Sequence, residues 1–273
     1  SGSTLYGMTP LGGTANKGVI FRMSTDGTGY TVMRSFTGGP GDGDTPGYSS
    51  LVLSGSTLYG VSFTGGSVGD GTVFKINTDS TGYSIVHTFD WLANAQGRLP
   101  VSVIVSGSTL YGMTERGGLT DNGTIFKMGV DGSSYTQLRS FGGAPNDGSA
   151  PLAGLLLSGS ELYGMTALGG TANHGTIFGL GIDGTGYDTM YSFQGAPGDG
   201  ASPEGDLLQV GPTLYGMTSI GGTSNDGTIF SFTPVPEPSS LALLALAGGA
   251  GIVIRRRRVR RCRMTICSRH CGN

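Results

Sequence analysis

Short apolar segments separated by glycine-rich turns run along most of this chain. In residues 151–203 we predict four strands, named a to d, at residues 155–157, 161–166, 176–180 and 187–193. An Asp183-Gly184 pair separates strands c and d, and Asp-Gly is a strong signal for a tight hairpin. No segment of residues 1–233 keeps a 3.6-residue apolar period, so we predict no helix there.

Strand c carries apolar side chains on both faces. Phe178 and Leu180 lie on one face, because successive strand side chains alternate, and Ile177 lies on the other. A sheet with two apolar faces must bury both, so we expect each sheet to be covered on both sides by its neighbours.

Two markers show that this pattern is a tandem repeat. The tripeptide Leu-Tyr-Gly recurs at intervals of 53, 52, 52 and 52 residues, and Gly-(Thr/Val)-(Ile/Val)-Phe recurs at the same intervals. We number the repeat units 1 to 5 by the tyrosines of the first marker: Tyr6, Tyr59, Tyr111, Tyr163 and Tyr215. We interpret these tyrosines as core residues, with the glycine beside each allowing close contact between neighbouring sheets.

Four antiparallel strands in each 52-residue unit are typical of a β-propeller blade. We therefore predict an all-β, β-propeller-like array of about five four-stranded blades over residues 1–233, with a Gly-x-x-Pro loop such as residues 200–203 between blades. An open β-solenoid is the alternative, which we disfavour because its coils usually hold ~20–30 residues. The chain begins in the middle of a unit, so we expect an N-terminal truncation and more blades in the intact protein.

Composition and charge narrow the classes of protein. The 53 glycines argue against long helices, and the lack of a Gly-x-y period excludes collagen. Residues 1–254 carry 8 Lys/Arg against 18 Asp/Glu, a net charge of −10, which argues against nucleic-acid binding. Residues 255–273 carry 8 Arg and no acid, a net charge of +8.

The region after residue 233 changes character. Residues 234–240 form a proline-rich linker, 241–254 an uncharged apolar stretch, and 255–273 a basic tail. Fourteen helical residues span ~21 Å, short of the ~30 Å hydrocarbon core, and flanking serines and snorkelling arginines bring the length close to it. We predict a short hydrophobic transmembrane helix at 241–254, stopped on the cytoplasmic side by four arginines. These are Arg255, Arg256, Arg257 and Arg258.

The repeat resembles the GloVer tandem repeat, a glycine-rich "choice of anchor" family whose members end in different surface-anchoring signals. The matching residues are the two markers, as in Leu162-Tyr163-Gly164 and Gly175-Thr176-Ile177-Phe178. The resemblance implies an exported bacterial surface protein and no known activity. The unit is also loosely similar to a kelch blade, although phenylalanine stands where kelch blades carry a tryptophan in strand d.

The C-terminal region looks like a PEP-CTERM sorting signal, in which a short motif precedes an apolar segment and an arginine cluster. The motif residues are Val235, Pro236, Glu237 and Pro238. This resemblance implies recognition by an exosortase, a membrane transpeptidase-like enzyme, with cleavage near the motif and transfer to the cell surface or extracellular matrix. Such signals usually end soon after the arginines, whereas this chain continues through residues 259–273.

The remaining candidate residues point weakly to metals. Asp42, Asp147 and Asp199 recur in Asp-Gly loops, with Asp44 nearby, and carboxylates on one rim suit Ca²⁺. Gln96 replaces the acid once, and Asp-Gly turns need no metal. The tail residues Cys262, Cys267, His270 and Cys271 lack paired C-x-x-C spacing. We therefore predict no metal site and no cofactor.

Catalytic groups are equally sparse. His87 and His174 occupy non-equivalent positions without the spacing of a catalytic pair. Glu115, Glu161 and Glu204 leave paired-acid glycoside hydrolysis open, although none recurs. Trp91, the single tryptophan, has the shape to stack on a sugar, but packing in its loop is favoured.

These observations predict a non-enzymatic, exported surface or extracellular-matrix repeat protein, sorted and anchored through its C-terminal signal. Its partners would be an exosortase-type enzyme, the membrane and extracellular polysaccharide, with no nucleic acid. The alternative is a secreted carbohydrate-binding or polysaccharide-cleaving propeller. An enzyme would need one polar cluster that breaks the repeat symmetry, whereas a lectin-like protein would show equivalent pockets in every blade.

Overall fold

The computed structural model describes residues 2–46, 50–94, 96–234 and 265–266. Consecutive antiparallel sheets follow the five repeat units, and the described residues are otherwise loops and one helical turn. The all-β prediction is therefore confirmed, with one antiparallel sheet in each of units 1, 2, 3 and 5 and two in unit 4.

The strands follow one another in chain order through the units. Unit 1 holds β1 (Thr4–Thr9), β2 (Val19–Ser24) and β3 (Thr31–Ser35). Unit 2 holds β4 (Gly43–Pro46), β5 (Val52–Ser54), β6 (Thr57–Gly65), β7 (Thr72–Asn77) and β8 (Ser84–Thr88). Unit 3 holds β9 (Gly97–Ser106), β10 (Thr109–Gly117), β11 (Thr124–Gly129) and β12 (Thr136–Ser140). Unit 4 holds β13 (Gly148–Ser149), β14 (Leu156–Ser158), β15 (Glu161–Thr166), β16 (Leu168–Gly169), β17 (Thr176–Gly181) and β18 (Asp188–Ser192). Unit 5 holds β19 (Gly200–Pro203), β20 (Leu208–Val210), β21 (Thr213–Gly221) and β22 (Thr228–Phe232).

In units 2, 3 and 4, strands a, b, c and d pair in that order as a meander. The described residues of unit 1 hold strands b, c and d, and those of unit 5 hold strands a, b and c. In unit 4, strand b has the predicted bounds, strand a lies one residue later, and strand c is one residue longer. Strand d spans Asp188–Ser192 and so loses one predicted residue at each end.

The Gly-x-x-Pro segments are strands, and the prediction that they are loops was wrong. In unit 2, Gly43 pairs with Gly65 and Pro46 with Ser62. The same segment begins strand β9 and forms β19. In units 2, 3 and 5 these segments lie at one edge of the sheet, where a proline without an N–H costs no ladder hydrogen bond. In unit 4 only Gly148–Ser149 is a strand, and it pairs with Leu168–Gly169 as a separate two-stranded sheet.

One helical turn, α1 (Trp91–Asn94), contradicts the prediction of no helix. Its four residues are too few to show an apolar period. The turn begins where the Asp70 carboxylate accepts a hydrogen bond from the Trp91 amide at 3.0 Å.

The apolar cores lie between consecutive sheets. We call the face that packs on the following unit the leading face, and the face that packs on the preceding unit the trailing face. In unit 2 the leading face holds Tyr59, Val61 and Val73, which pack on Leu110 and Phe126 in the trailing face of unit 3. The other three junctions repeat this pattern, so both faces of the inner sheets are covered, as predicted.

The glycine of Leu-Tyr-Gly serves its own sheet and does not mainly bring neighbouring sheets together. Gly164 pairs across strands b and c with Phe178, which belongs to the second marker. A Cβ atom on Gly164 would lie 2.5 Å from Cζ of the Phe178 ring. The two markers are therefore one structural feature, an aromatic ring lying over a bare backbone.

The C-terminal predictions fall mostly outside the described residues. A two-residue strand, β23 (Thr265–Ile266), pairs with β22, with Ile266 opposite Phe230. It occupies the edge where strand d lies in the other units. Residues 235–264 and 267–273, with the predicted transmembrane helix at 241–254, lie outside the described residues. Within the part that is described, no helix has the length and apolar composition to cross a bilayer.

Candidate functional site

The recurring aspartates lie at the junctions between units. At the junction of units 1 and 2, Asp42 Oδ2 accepts hydrogen bonds from Arg34 at 2.8 Å and from the Thr37 amide at 2.9 Å. Asp42 Oδ1 accepts hydrogen bonds from the Gly43 amide at 2.9 Å and from the Tyr83 hydroxyl at 2.6 Å. We call this set of three side chains the junction hub: an acceptor such as Asp42, a strand d side chain such as Arg34, and a tyrosine of the next unit such as Tyr83.

The hub recurs at the junction of units 3 and 4 with the same residue types. Asp147 accepts hydrogen bonds from Arg139, from the Gly148 amide at 2.8 Å and from the Tyr187 hydroxyl at 2.6 Å. The Arg139 guanidinium also stacks over the Tyr187 ring, with Cζ 3.8 Å from the ring centroid. Charge, hydrogen bonding and cation–π contact therefore hold neighbouring units at one point.

At the junction of units 2 and 3 all the charges are replaced together. Gln96 stands at the aspartate position and His87 at the arginine position, and their side chains lie 3.1 Å apart, His87 Nε2 to Gln96 Oε1. The His87 ring stacks on Tyr135 at 4.6 Å with 7° between the planes. Within the described residues the buried Tyr135 hydroxyl has no hydrogen-bond partner. A neutral stack thus replaces the ionic hub.

The junction of units 4 and 5 holds a third version. Asp199 Oδ2 accepts hydrogen bonds from the Tyr191 hydroxyl at 2.8 Å and from the Gln194 amide at 2.7 Å. Asp199 Oδ1 accepts a hydrogen bond from the Gly200 amide at 2.7 Å. Three aspartates are thus committed to three separate junctions.

Ionisation follows from this packing. Burial alone would raise the pKa of Asp42, but hydrogen bonds from Tyr83, Thr37 and Arg34 outweigh burial and hold that pKa below its ordinary value. Burial, followed by the hydrogen bond to Asp42, raises the pKa of Tyr83. Burial lowers the pKa of His87, and the contact with Gln96 offsets this only in part. At neutral pH Asp42 is therefore a carboxylate, Tyr83 a neutral phenol and His87 uncharged.

The structure does not bring the aspartates together as calcium ligands. Asp44 bonds to Lys17 at 2.7 Å, and Asp42, Asp147 and Asp199 serve different junctions. Among residues 2–46, 50–94 and 96–234, no three His, Cys, Asp or Glu side chains form a group able to hold a metal ion. The tail residues Cys262, Cys267, His270 and Cys271 lie outside the described residues.

Two of the three candidate glutamates line one cavity of about 440 Å³. Glu115 and Glu204 share it with Phe63, Val101 and Leu152. Glu161 begins β15, outside the cavity. The Glu115 carboxylate lies 3.4 Å from Arg116, and Ser219 donates a hydrogen bond to Glu204 at 3.1 Å. An acidic, partly apolar depression of this kind can hold a polar ligand with an apolar side.

The residues that line the cavity also show how the units are arranged in space. Its lining comes from four consecutive units, with Phe63 in unit 2 and Glu204 in unit 5. Packed sheets lie about 10 Å apart, so a straight stack would separate units 2 and 5 by about 30 Å. The units therefore fan around a common axis, as in a propeller and unlike a straight solenoid.

Sequence positions that vary between units line this cavity. Phe63 and Glu115 stand at the same repeat position, where the other units carry Pro10, Ala167 and Ser219. Val101, Leu152 and Glu204 share a second position, directly after the proline of Gly-x-x-Pro. The lining thus breaks the repeat symmetry that the junctions keep. Comparing aligned units for such divergence would have singled out these positions in the sequence, although not their meeting in one cavity.

The two candidate histidines and the single tryptophan contact neighbouring protein groups. His87 lies in β8 and His174 in the loop before β17, at different junctions. Trp91 donates a hydrogen bond from its indole to the Gly118 carbonyl at 3.3 Å, and Arg98 lies 4.8 Å from its ring. Trp91 therefore contacts residues of unit 3 outside its own loop. The sorting-signal residues Val235 to Pro238 and the arginines 255–258 lie outside the described residues.

Solved structures with the same fold are distant in sequence. A nidogen/laminin complex aligns with a TM-score of 0.55 at 16% identity, covering 85% of this chain and 72% of that one. TolB from Acinetobacter baumannii gives 0.53 at 14%, covering 84% and 51%. A putative 6-phosphogluconolactonase from Bacteroides uniformis gives 0.53 at 16%, covering 85% and 64%. These neighbours are β-propeller-like, and at such identities they show the fold alone.

A search among curated proteins found no match. A model of the Gloeobacter/Verrucomicrobia repeat matches residues 1–141 and again residues 83–250. These two overlapping matches cover all five units, with their shared markers, sheets and junctions. The chain therefore belongs to the Gloeobacter/Verrucomicrobia repeat family.

Proposed function

We propose that this chain is a non-enzymatic repeat protein exported to the bacterial surface or extracellular matrix. The observation that carries this proposal is the use of the recurring polar residues. Asp42, Asp147 and Asp199 accept hydrogen bonds from protein donors on both carboxylate oxygens, so these acids hold units together. Recurring acids that bind protein groups at the junctions between units are typical of a structural scaffold.

The order of residues after the repeats supports sorting and anchoring. A Val-Pro-Glu-Pro motif at 235–238 precedes the apolar stretch 241–254 and the arginines 255–258. An exosortase-type enzyme would recognise the motif, the apolar stretch would enter the membrane, and the arginines would stay on the cytoplasmic side. The pairing of β23 with β22 cannot coexist with that topology, because Thr265 and Ile266 would lie across the membrane from the sheet.

Mass spectrometry of the mature C-terminus tests this proposal in hosts with and without the sorting enzyme. We expect a C-terminus near residue 238 with the enzyme, and one that retains Arg255 without it. Glu237→Gln with Pro238→Ala should block processing, whereas the matched change Glu161→Gln with Pro151→Ala should not. A C-terminus that retains Arg255 in both hosts would reject the proposal.

The cavity favours a second function, binding or cleavage of a polysaccharide. Its lining breaks the repeat symmetry, and it pairs the carboxylates of Glu115 and Glu204 with the ring of Phe63. Carboxylates accept hydrogen bonds from sugar hydroxyls, and paired acids carry out glycoside hydrolysis.

Glycan-array binding beside a polysaccharide-degradation assay separates the two functions. The variants are Glu115→Gln and Glu204→Gln, with Glu161→Gln as the matched control outside the cavity. Turnover that is lost only in the first two variants would reject the non-enzymatic proposal. Binding without turnover, lost in the same two variants, would make this chain a carbohydrate-binding scaffold.

A further inference from the structure

The described residues that line the cavity of about 440 Å³ present one kind of polar side chain. Phe63, Val101 and Leu152 contribute apolar surface. The polar side chains are those of Glu115 and Glu204, and an ionised carboxylate accepts hydrogen bonds without donating any. Among these lining side chains there is therefore no hydrogen-bond donor, and the charge that they carry is negative.

The two carboxylates keep the capacity to bind a ligand. Ser219 donates a hydrogen bond to Glu204 Oε1 at 3.1 Å. Arg116 Nε lies 3.4 Å from Glu115 Oε1, which is long for a hydrogen bond between charged groups, usually about 2.7–2.9 Å. Because a carboxylate accepts at about four lone-pair sites, both acids can accept further hydrogen bonds.

The size and lining of the cavity favour an organic ligand over a metal ion. Ca²⁺ takes about 6–8 oxygen ligands, and no three His, Cys, Asp or Glu side chains of the described residues form a group able to hold a metal. A volume of about 440 Å³ lies in the range of ~300–1,000 Å³ that is typical of sites for small organic ligands. The apolar side chains can cover a carbon skeleton while the carboxylates bind its donor groups.

An ammonium group fits this lining better than the other polar groups that sugars carry. It offers three donors and has no acceptor to satisfy, whereas a hydroxyl also brings lone pairs and an acetamide brings a carbonyl oxygen. A sugar carboxylate would meet two like charges. The ring of Phe63 attracts cations, and the net charge of −10 on residues 1–254 favours their approach.

We propose that the cavity binds a sugar with a free amino group, as in a polymer of hexosamines without N-acetyl groups. This inference rests on the second function proposed above, binding of a polysaccharide, and specifies the chemical class of that polysaccharide. The ammonium groups bind the carboxylates of Glu115 and Glu204, and the apolar face of a sugar ring packs on the apolar wall. A lysine side chain also presents an ammonium, but its single aliphatic stem fills less of the cavity than a sugar ring does.

Isothermal titration calorimetry of the full chain in a mild detergent tests the proposal with oligosaccharides of equal length. The probes are oligomers of glucosamine, N-acetylglucosamine, glucose and galacturonic acid, in a mildly acidic buffer that keeps the amines protonated. Glu115→Gln and Glu204→Gln each remove one carboxylate of the cavity. Glu161→Gln is the matched control, because it removes the same charge outside the cavity. Cooperative thermal unfolding checks that each variant is folded, and the comparison of probes on the wild type needs no variant.

The glucosamine oligomer should bind the wild type at least tenfold more tightly than the other three oligomers. Glu115→Gln and Glu204→Gln should each weaken this binding at least tenfold, because a hydrogen bond to a charged group is lost. Glu161→Gln should change it by less than about twofold.

Equal binding of the N-acetylglucosamine or glucose oligomer, lost in the two cavity variants, would overturn the inference and leave polysaccharide binding in the cavity standing. Glucosamine binding that all three variants weaken alike would overturn it too, because the overall negative charge would then explain the attraction. Tighter binding of oligolysine, lost in the cavity variants, would assign the cavity to a basic protein instead. Binding of no oligosaccharide would reject both the inference and the second function.

Discussion

Tyr187 and Tyr135 occupy the same repeat position and are both partly buried, yet only the Tyr187 hydroxyl donates to a carboxylate, at 2.6 Å from Asp147 Oδ1. A hydrogen bond to a charged group contributes about 1.5–3 kcal/mol, and an unpaired buried hydroxyl contributes none. The same substitution at these two residues therefore measures the hub bond directly.

We expect Tyr187→Phe to lower the free energy of unfolding by about 1.5–3 kcal/mol, because Asp147 loses a donor. Tyr135→Phe should change it by less than about 0.5 kcal/mol or raise it, because no hydrogen bond is lost. Urea unfolding of both variants and the wild type gives the comparison. Equal losses in the two variants would show that the hub bond contributes nothing beyond packing.

The lowered pKa of His87 predicts a dependence of stability on pH. The folded protein binds this proton less readily than the unfolded chain, so the contribution is present above the ordinary histidine pKa of about 6.5 and is lost as pH falls below it. One proton limits the slope to about 1.4 kcal/mol per pH unit. Urea unfolding between pH 7.5 and pH 5 should show this slope in the wild type and lose it in His87→Phe, whereas His174→Phe should keep it.

At the residue scale, the sequence predicted which residues form the core better than it predicted which side chains contact one another. The tyrosines of Leu-Tyr-Gly are core at Tyr59 and Tyr111, as interpreted, but Tyr215 is largely exposed because no described unit follows it. The hub was missed, although His87 and Gln96 replace an arginine and an aspartate together, and that joint change was visible in the aligned units. What the sequence could not show is the distance between Asp147 and a tyrosine 40 residues away.

At the scale of single elements, the pairing of Gly164 with Phe178 decides how strands b and c lie together. A methyl group at Gly164 would meet the Phe178 ring, and the three nearest atoms all belong to side chains. We expect Gly164→Ala to destabilise the protein by about 1–3 kcal/mol through overpacking. Gly198→Ala, where an added Cβ meets nothing within 4 Å, is the control.

Thermal and urea unfolding of both glycine variants measure the effect. A loss in Gly164→Ala that matches the loss in Gly198→Ala would mean that the ring moves aside without cost. In that case, the packing of the phenylalanine ring on the glycine would not explain why the two sequence markers recur together.

The bounds of a strand were predictable where the pattern of apolar residues and the flanking turn residues indicated the same ends. For example, β15 has the bounds predicted for strand b. The Gly-x-x-Pro strands were missed because glycine and proline usually end strands, and only their edge position makes them compatible with pairing. The helical turn α1 has no counterpart in the other units and left no periodic signal.

At the scale of the whole molecule, each described junction joins only sequence neighbours, as in repeat proteins whose stability is a sum of unit and interface terms. Among the described residues, unit 3 is covered on both faces, whereas no described sheet covers the outer faces of units 1 and 5. We expect hydrogen exchange of β10 and β11 to be at least tenfold slower than that of β2 and β22, a difference of about 1.4 kcal/mol or more.

Native-state hydrogen exchange at low protein concentration, read by mass spectrometry, measures this gradient. Equal protection in all units would mean that the sheets open as one cooperative body. The number and order of sheets were predictable because the repeat is regular, whereas the shared cavity was not, because it depends on the angle between units that no single unit encodes.

The spacing within a hub has a consequence for how such a chain changes in length. Asp147 meets Arg139 from eight residues before it and Tyr187 from forty residues after it. Duplication of a gene segment coding for one whole unit keeps both contacts and supplies a complete new interface. At the hub of units 1 and 2 the corresponding intervals are 8 and 41 residues, so a loop can change slightly in length while the hub is kept. A chain built in this way can lengthen or shorten by whole units while the variable residues around the axis diverge independently.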